Sequence, residues 1–180
     1  MAADEDKLVI RKDSYISFDK NLGHYVLTNK RVFHDVILIS VPSLLKLESE
    51  LFNILGPVAK NILQIIGEGA GGESGKRMLH VENMEDDVKT VFNSVSKWGF
   101  GKYELVDLNL EGGNIKFKLL NNPLFIGGKK DDLGLTDQAK TRNHDFLIGF
   151  YTGYFHVLLN AIVSCKETKC INQGDTFCEF

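Results

Sequence analysis

The chain has 180 residues, 43% of them apolar and 25% charged, with a formal net charge of −3. That length and mixture fit one globular domain with a real core. The mildly acidic balance gives no reason to expect nucleic acid or an anionic lipid surface as partner; there is no run of 18 uncharged apolar residues to span a membrane, and residues 1–7 are too acidic for a signal peptide, so a cytoplasmic location is expected.

Residues 1–12 are polar and read as a loose segment, with a single domain expected over 13–180. From Tyr15 to Ile39 the pattern is strand-like. Tyr25-Val26-Leu27-Thr28 and Arg31-Val32-Phe33 flank Asn29-Lys30, which suits a hairpin. A helix is expected from about Ser43, since Leu44, Leu47, Leu51, Ile54, Leu55, Val58, Ile62, Ile65 and Ile66 recur at spacings of three and four. Gly56-Pro57 divides it into two helices meeting at an angle. Five glycines between 67 and 75 imply either a flexible break or a close backbone approach.

A third helix is expected after Asn83, with Glu85, Asp86 and Asp87 favouring its N-terminal dipole. Segments 103–110 and 114–120 alternate around Glu111-Gly112-Gly113, a second hairpin signal. A last helix, capped at Thr136 or Asp137, should run to about Asn160. It is apolar nearly all round from Phe146 to Leu159 and should therefore be central. Gly149 and Gly153, four residues apart, allow another element to pack closely on it. A final strand-turn-strand carries the cysteines. The order implies an α+β fold, an antiparallel sheet packed against a helical layer with one buried central helix.

All three cysteines, Cys165, Cys170 and Cys178, lie in the last 16 residues. An odd, clustered set points to metal or buried thiols before disulfides. A turn at Gly174-Asp175 would bring Cys170 and Cys178 together, and zinc prefers thiolate donors in a tetrahedron. Two more donors are needed. Glu167 and Cys165 are the local candidates and His144 the distant one.

The run Glu167-x-x-Cys170-x3-Gly174-Asp175-x-x-Cys178-Glu179-Phe180 resembles the 4-vinyl reductase domain family. So do Gly149-Phe150-Tyr151-Thr152-Gly153-Tyr154, Trp98-Gly99-Phe100-Gly101, and the hairpin ending Leu120-Asn121-Asn122-Pro123. The resemblance covers roughly residues 30–180. It implies a fold similar to the TRAPP vesicle-tethering subunits and the haem nitric-oxide-binding domains, with a hydrophobic cavity between helices and sheet, and often a homodimer. In sensory members a zinc is held by a Cys, a Glu and two further Cys. Those positions fall here on His144, Glu167, Cys170 and Cys178, with Cys165 a possible substitute. The histidine departs from the pattern yet remains a good zinc donor. A closed shell of four ligands makes such a site structural.

The ligand pocket the resemblance implies would draw on Phe92, Trp98, Phe117, Phe150, Tyr151 and Tyr154, where buried Tyr and Trp keep a polar tip. His24, His34, His80 and His156 have no ligand-like spacing. Gly69-Ala70-Gly71-Gly72-Glu73-Ser74-Gly75-Lys76-Arg77 only imitates a phosphate loop, since Ala70 and Arg77 break the pattern and a helix precedes it.

The leading expectation is a module that binds or senses a hydrophobic, aromatic or lipid-like molecule and acts through a regulatory protein partner. An accessory or reductase role toward a tetrapyrrole vinyl group is one alternative, but no flavin or nicotinamide motif supplies a hydride. A protein-interaction module like the tethering subunits is another. No catalytic residues stand out, and an enzyme is not expected.

Overall fold

The structure is a computed structural model that describes residues 7–11, 14–19, 24–29, 33–36, 41–78, 84–95, 101–122 and 143–180. Two compact units divide the chain, Met1–Ser40 and Val41–Phe180.

The first unit contains β1 (Lys7–Arg11), β2 (Ser14–Asp19), β3 (His24–Asn29) and β4 (Phe33–Val36), an antiparallel meander in the order β1-β2-β3-β4. β2 and β3 pair in unbroken register from Ser14↔Asn29 to Asp19↔His24. The expected hairpin is present as β3 and β4, paired from Thr28↔Phe33 to Tyr25↔Val36. β1 falls inside the segment expected to be loose. Leu8-Val9-Ile10 gives it an apolar, β-branched run that outweighs the polarity around it.

In the second unit α1 (Val41–Leu55) and α2 (Val58–Met78) meet at Gly56-Pro57, where Gly56 has a φ of +57°. Gly56 ends the first helix in the left-handed region and its N–H donates to Phe52 O at 2.8 Å. α2 runs through all five glycines, so the flexible break is overturned and the close approach is what occurs. A Cβ at Gly67 would lie 2.2 Å from Phe146 O, one at Gly71 1.9 Å from Phe150 O, and one at Gly153 2.0 Å from Glu68 O. α2 and the helix of residues 145–159 therefore touch backbone to backbone. Close packing along this line compensates the roughly 1 kcal/mol per residue by which glycine disfavours a helix relative to alanine.

α3 (Met84–Val95) carries buried Val88 and Phe92 four residues apart on one face. β5 (Lys102–Asn109) and β6 (Asn114–Leu120) form the expected second hairpin, closed by Leu110-Glu111-Gly112-Gly113. A register shift between Leu105 and Asp107 inserts one residue in β5. The bulge reverses the alternation, so Tyr103, Leu105 and then Leu108 pack on the core, and Val106 is left exposed. On β6 the inward set is Ile115, Phe117 and Leu119.

The central helix, α4 (Asp145–Leu159), starts later than expected. Asn143 and His144 are not helical, and the expected cap at Thr136 or Asp137 lies outside the described residues. Asp145 in the first turn suits the helix dipole and accepts 2.9 Å from Gln64 Nε2 on α2. α4 is buried along Leu147, Gly149, Tyr151, Gly153, Tyr154, Phe155 and Leu158, as its apolar circumference requires. After it the chain passes a short 3-10 turn, Ile171–Gln173, and ends in β7 (Cys178–Glu179), which pairs with β6 at Leu119↔Cys178. The expected final strand-turn-strand is reduced to β7 and one bridge, Lys169↔Glu179. The three-stranded sheet β5-β6-β7, α3 and α4 enclose one core, in the α+β arrangement expected.

Candidate metal centre and aromatic core

His144 occupies the last non-helical position before α4, Glu167 lies in the irregular segment after that helix, and Cys170 and Cys178 bracket the 3-10 turn. The turn is held from inside. Cys170 N–H donates to Asp175 Oδ2 at 2.8 Å, Gln173 and Asp175 N–H both donate to Cys170 O, and Gly174 takes a φ of +103°. This folds Cys178 back beside Cys170, and Ile171 N–H donates to Cys178 Sγ at 3.3 Å. Glu167 binds His144 twice: Oε2 accepts the backbone N–H at 3.0 Å and Oε1 lies 2.7 Å from ring Nδ1. Both side chains are almost wholly buried, at 8% and 1% exposure.

The four donor atoms of His144, Glu167, Cys170 and Cys178 all lie within 4.8 Å of one another. His144 Nδ1 stands 3.6 Å from Cys170 Sγ and 3.9 Å from Cys178 Sγ. Zinc bonds of 2.0–2.3 Å set tetrahedral edges of roughly 3.3–3.8 Å between donors. The two sulfur distances match that scale, while the shorter Nδ1–Oε1 separation is that of a hydrogen bond. One imidazole, one carboxylate and two thiols in a buried cluster are a donor set that can hold a metal ion. Cys165 is not part of the cluster. It is half-buried, and its backbone N–H donates to Thr152 Oγ1 at 3.2 Å.

The cluster polarises its own groups. Burial alone would lower the pKa of His144, but the Cys170 sulfur and the Glu167 carboxylate together outweigh it and raise it to about 9. The Cys178 thiol, by hydrogen bonding, draws Cys170 down to about 6 against the effect of burial, with His144 assisting. Cys178 is pushed up by that same hydrogen bond and by burial. Cys165 is raised to about 12, by burial first and then by Glu167, which makes it an inert thiol.

A layer of aromatic rings joins α3, α4 and the sheet. Ring centroids lie 4.7 Å apart for Phe92–Phe117, 4.8 Å for Phe117–Tyr151 and 5.8 Å for Phe150–Tyr151. Phe150 stacks on Tyr154 at 6.2 Å. Five of the six aromatic residues singled out in the sequence thus come together; Trp98 lies outside the described residues. Tyr103, which the sequence did not single out, completes the group. Its hydroxyl is 2.7 Å from that of Tyr151. Burial pushes the Tyr103 pKa up to about 12 and that of Tyr151 well above its ordinary value, so both stay protonated.

No family model matches the chain, and no curated protein matches it. Among solved structures it is similar to the crystal structure of the phenol-responsive sensory domain of the transcription activator PoxR with phenol. The TM-score is 0.67 at 19% identity, over 91% of this chain and 82% of that one. At that identity the likeness shows a shared fold.

Proposed function

We propose that this chain is a sensing domain of the 4-vinyl reductase type, which binds a small aromatic or similarly apolar molecule in a core clamped by zinc. The observation that carries the ligand reading is the hydroxyl pair of Tyr103 and Tyr151 inside a layer of phenylalanine rings. Such an interior offers flat apolar faces to a ring, and hydrogen bonding to a single hydroxyl on it. The similar domain of PoxR is described as phenol-responsive, which agrees with that chemistry. In this reading Phe92, Trp98, Phe117, Phe150, Tyr151 and Tyr154 line the ligand site.

Zinc fits the donor set. His144, Glu167, Cys170 and Cys178 would hold it, and it would replace the proton between Nδ1 and the carboxylate. It would pin the start of α4 to the turn before β7, a structural role that leaves no position for substrate. A homodimer belongs to the same reading. Leu47, Ile54, Val58 and Ile65 on α1 and α2 are 57–77% exposed, apolar side chains of the kind that a second copy covers. With ligand and metal accounted for, output passes through a regulatory partner.

The test is native mass spectrometry with elemental analysis, followed by calorimetric titration with phenol and toluene. One zinc per chain and phenol bound more tightly than toluene are expected. A chain that binds neither compound at millimolar concentration, and carries no copurified small molecule, overturns the ligand reading.

A further inference from the structure

Asn172 sits in the 3-10 turn between the two cysteines and is only 7% exposed. Its side-chain amide lies 3.3 Å from His144 Nε2, on the side of the ring away from Glu167, Cys170 and Cys178. All three donors face Nδ1. If Nδ1 is the metal-binding atom, Nε2 must carry the ring proton, and a protonated Nε2 needs an acceptor. The amide nitrogen cannot accept, but the amide oxygen can, and a half-turn of the Asn172 amide exchanges the two without moving any other atom.

We propose that Asn172 is a positioning residue for the metal centre: its amide oxygen accepts the Nε2–H of His144 and fixes the tautomer that presents Nδ1 to the metal. This rests on the metal reading above. The geometry makes the coupling local. Residues 171–173 form the turn whose carbonyl and N–H contacts set Cys170 against Cys178, so the segment that places both thiols also places the amide. A metal-bound histidine ordinarily gives its second N–H to an oxygen, and loss of such a partner costs 10–100-fold in metal affinity. Leucine at 172 keeps the branched shape and removes the acceptor; aspartate keeps an acceptor oxygen.

The experiment measures zinc affinity by competition with a chromophoric chelator, on the whole chain and on Asn172→Leu and Asn172→Asp. Cobalt(II) absorption reports the two-thiolate site, and nitrogen-15 NMR of the zinc-loaded chain reports the His144 tautomer. Asn172→Leu should bind zinc about 10–100-fold more weakly with the cobalt–thiolate bands retained, and Asn172→Asp should restore at least wild-type affinity. The ring should carry its proton on Nε2. A leucine variant with wild-type affinity overturns the proposal, as does metal bound through Nε2. If the leucine variant does not fold, the smaller Asn172→Ala is measured in its place: zinc binding weakened about 10–100-fold supports the proposal and wild-type affinity overturns it. A wild-type chain that takes up no metal sinks the metal reading and this proposal together. A metal-loaded chain indifferent to residue 172 sinks only the latter.

Discussion

Replacing Gly71 by alanine tests the contact on which the pairing of α2 with α4 depends. A Cβ there would lie 1.9 Å from Phe150 O, against a floor near 3.0 Å for real contacts, and it would also meet Phe150 C at 2.8 Å and Tyr154 N at 2.9 Å. The obstruction is main chain, which no rotamer change can move. α2 and α4 must part by about 1 Å, and overpacking of this kind costs about 3 kcal/mol at the upper end of its range. Alanine returns about 1 kcal/mol in helix propensity, which leaves a net loss of about 2 kcal/mol. Gly69 is the internal control. It lies in the same helix, is exposed, and a Cβ there meets nothing within 4 Å. Gly69→Ala should therefore stabilise by roughly 0.5–1 kcal/mol. Urea unfolding of both variants under one metal condition reads the two values. Shifts of the same sign, or Gly71→Ala as stable as wild type, would refute the helix contact.

Three further outcomes follow from the site and its surroundings. Tyr103→Phe takes the hydrogen-bond partner from the buried Tyr151 hydroxyl and should cost about 1–3 kcal/mol, while Tyr103→Phe combined with Tyr151→Phe should lose less than the two singles together; strict additivity in denaturation would show that the hydroxyls do not pair. At pH 7 His144 is held protonated by its raised pKa and Cys178 by its own, whereas Cys170 is mostly thiolate. Zinc uptake should then expel one proton from each of the first two, and affinity should weaken about a hundredfold per unit of acidification between pH 7 and 8; a flat profile in a chelator competition contradicts this. Ile54→Glu combined with Ile65→Glu should halve the mass seen by light scattering at micromolar concentration, and a wild-type chain that is already monomeric removes the dimer from the functional reading.

Much of this was legible in the residues, and what was not has physical causes. Alternation around Glu111-Gly112-Gly113 revealed β5 and β6, and the apolar circumference of α4 revealed its burial, because period and polarity act locally. The spacing of Cys170, Gly174 and Cys178 anticipated the folded-back turn. His144 stood as a distant candidate donor that the family resemblance then singled out, since it lies 26 positions from Cys170 and no local rule spans that gap. The glycines of α2 were ambiguous because helix propensity counts what a residue does alone. What keeps that helix intact is the facing backbone of α4. Tyr103 was missed because the strand paired with β5 decides which of its faces turns inward, and the extra residue at Val106 breaks the alternation that would otherwise mark that face. Asn172 was missed because an asparagine in a turn ordinarily serves the turn.

The glycine seam also bears on how a signal would travel. Where helices meet through long side chains, a small displacement of one dissipates as its neighbour's rotamers readjust. Carbonyl against α-carbon has no such give. Tyr151, Tyr154 and Phe155 ride on α4, as does the end of that helix held at His144. Under the proposed sensing role, a tilt of α4 imposed by a guest molecule would be handed to α2 as a rigid push, toward the exposed Val58 and Ile65.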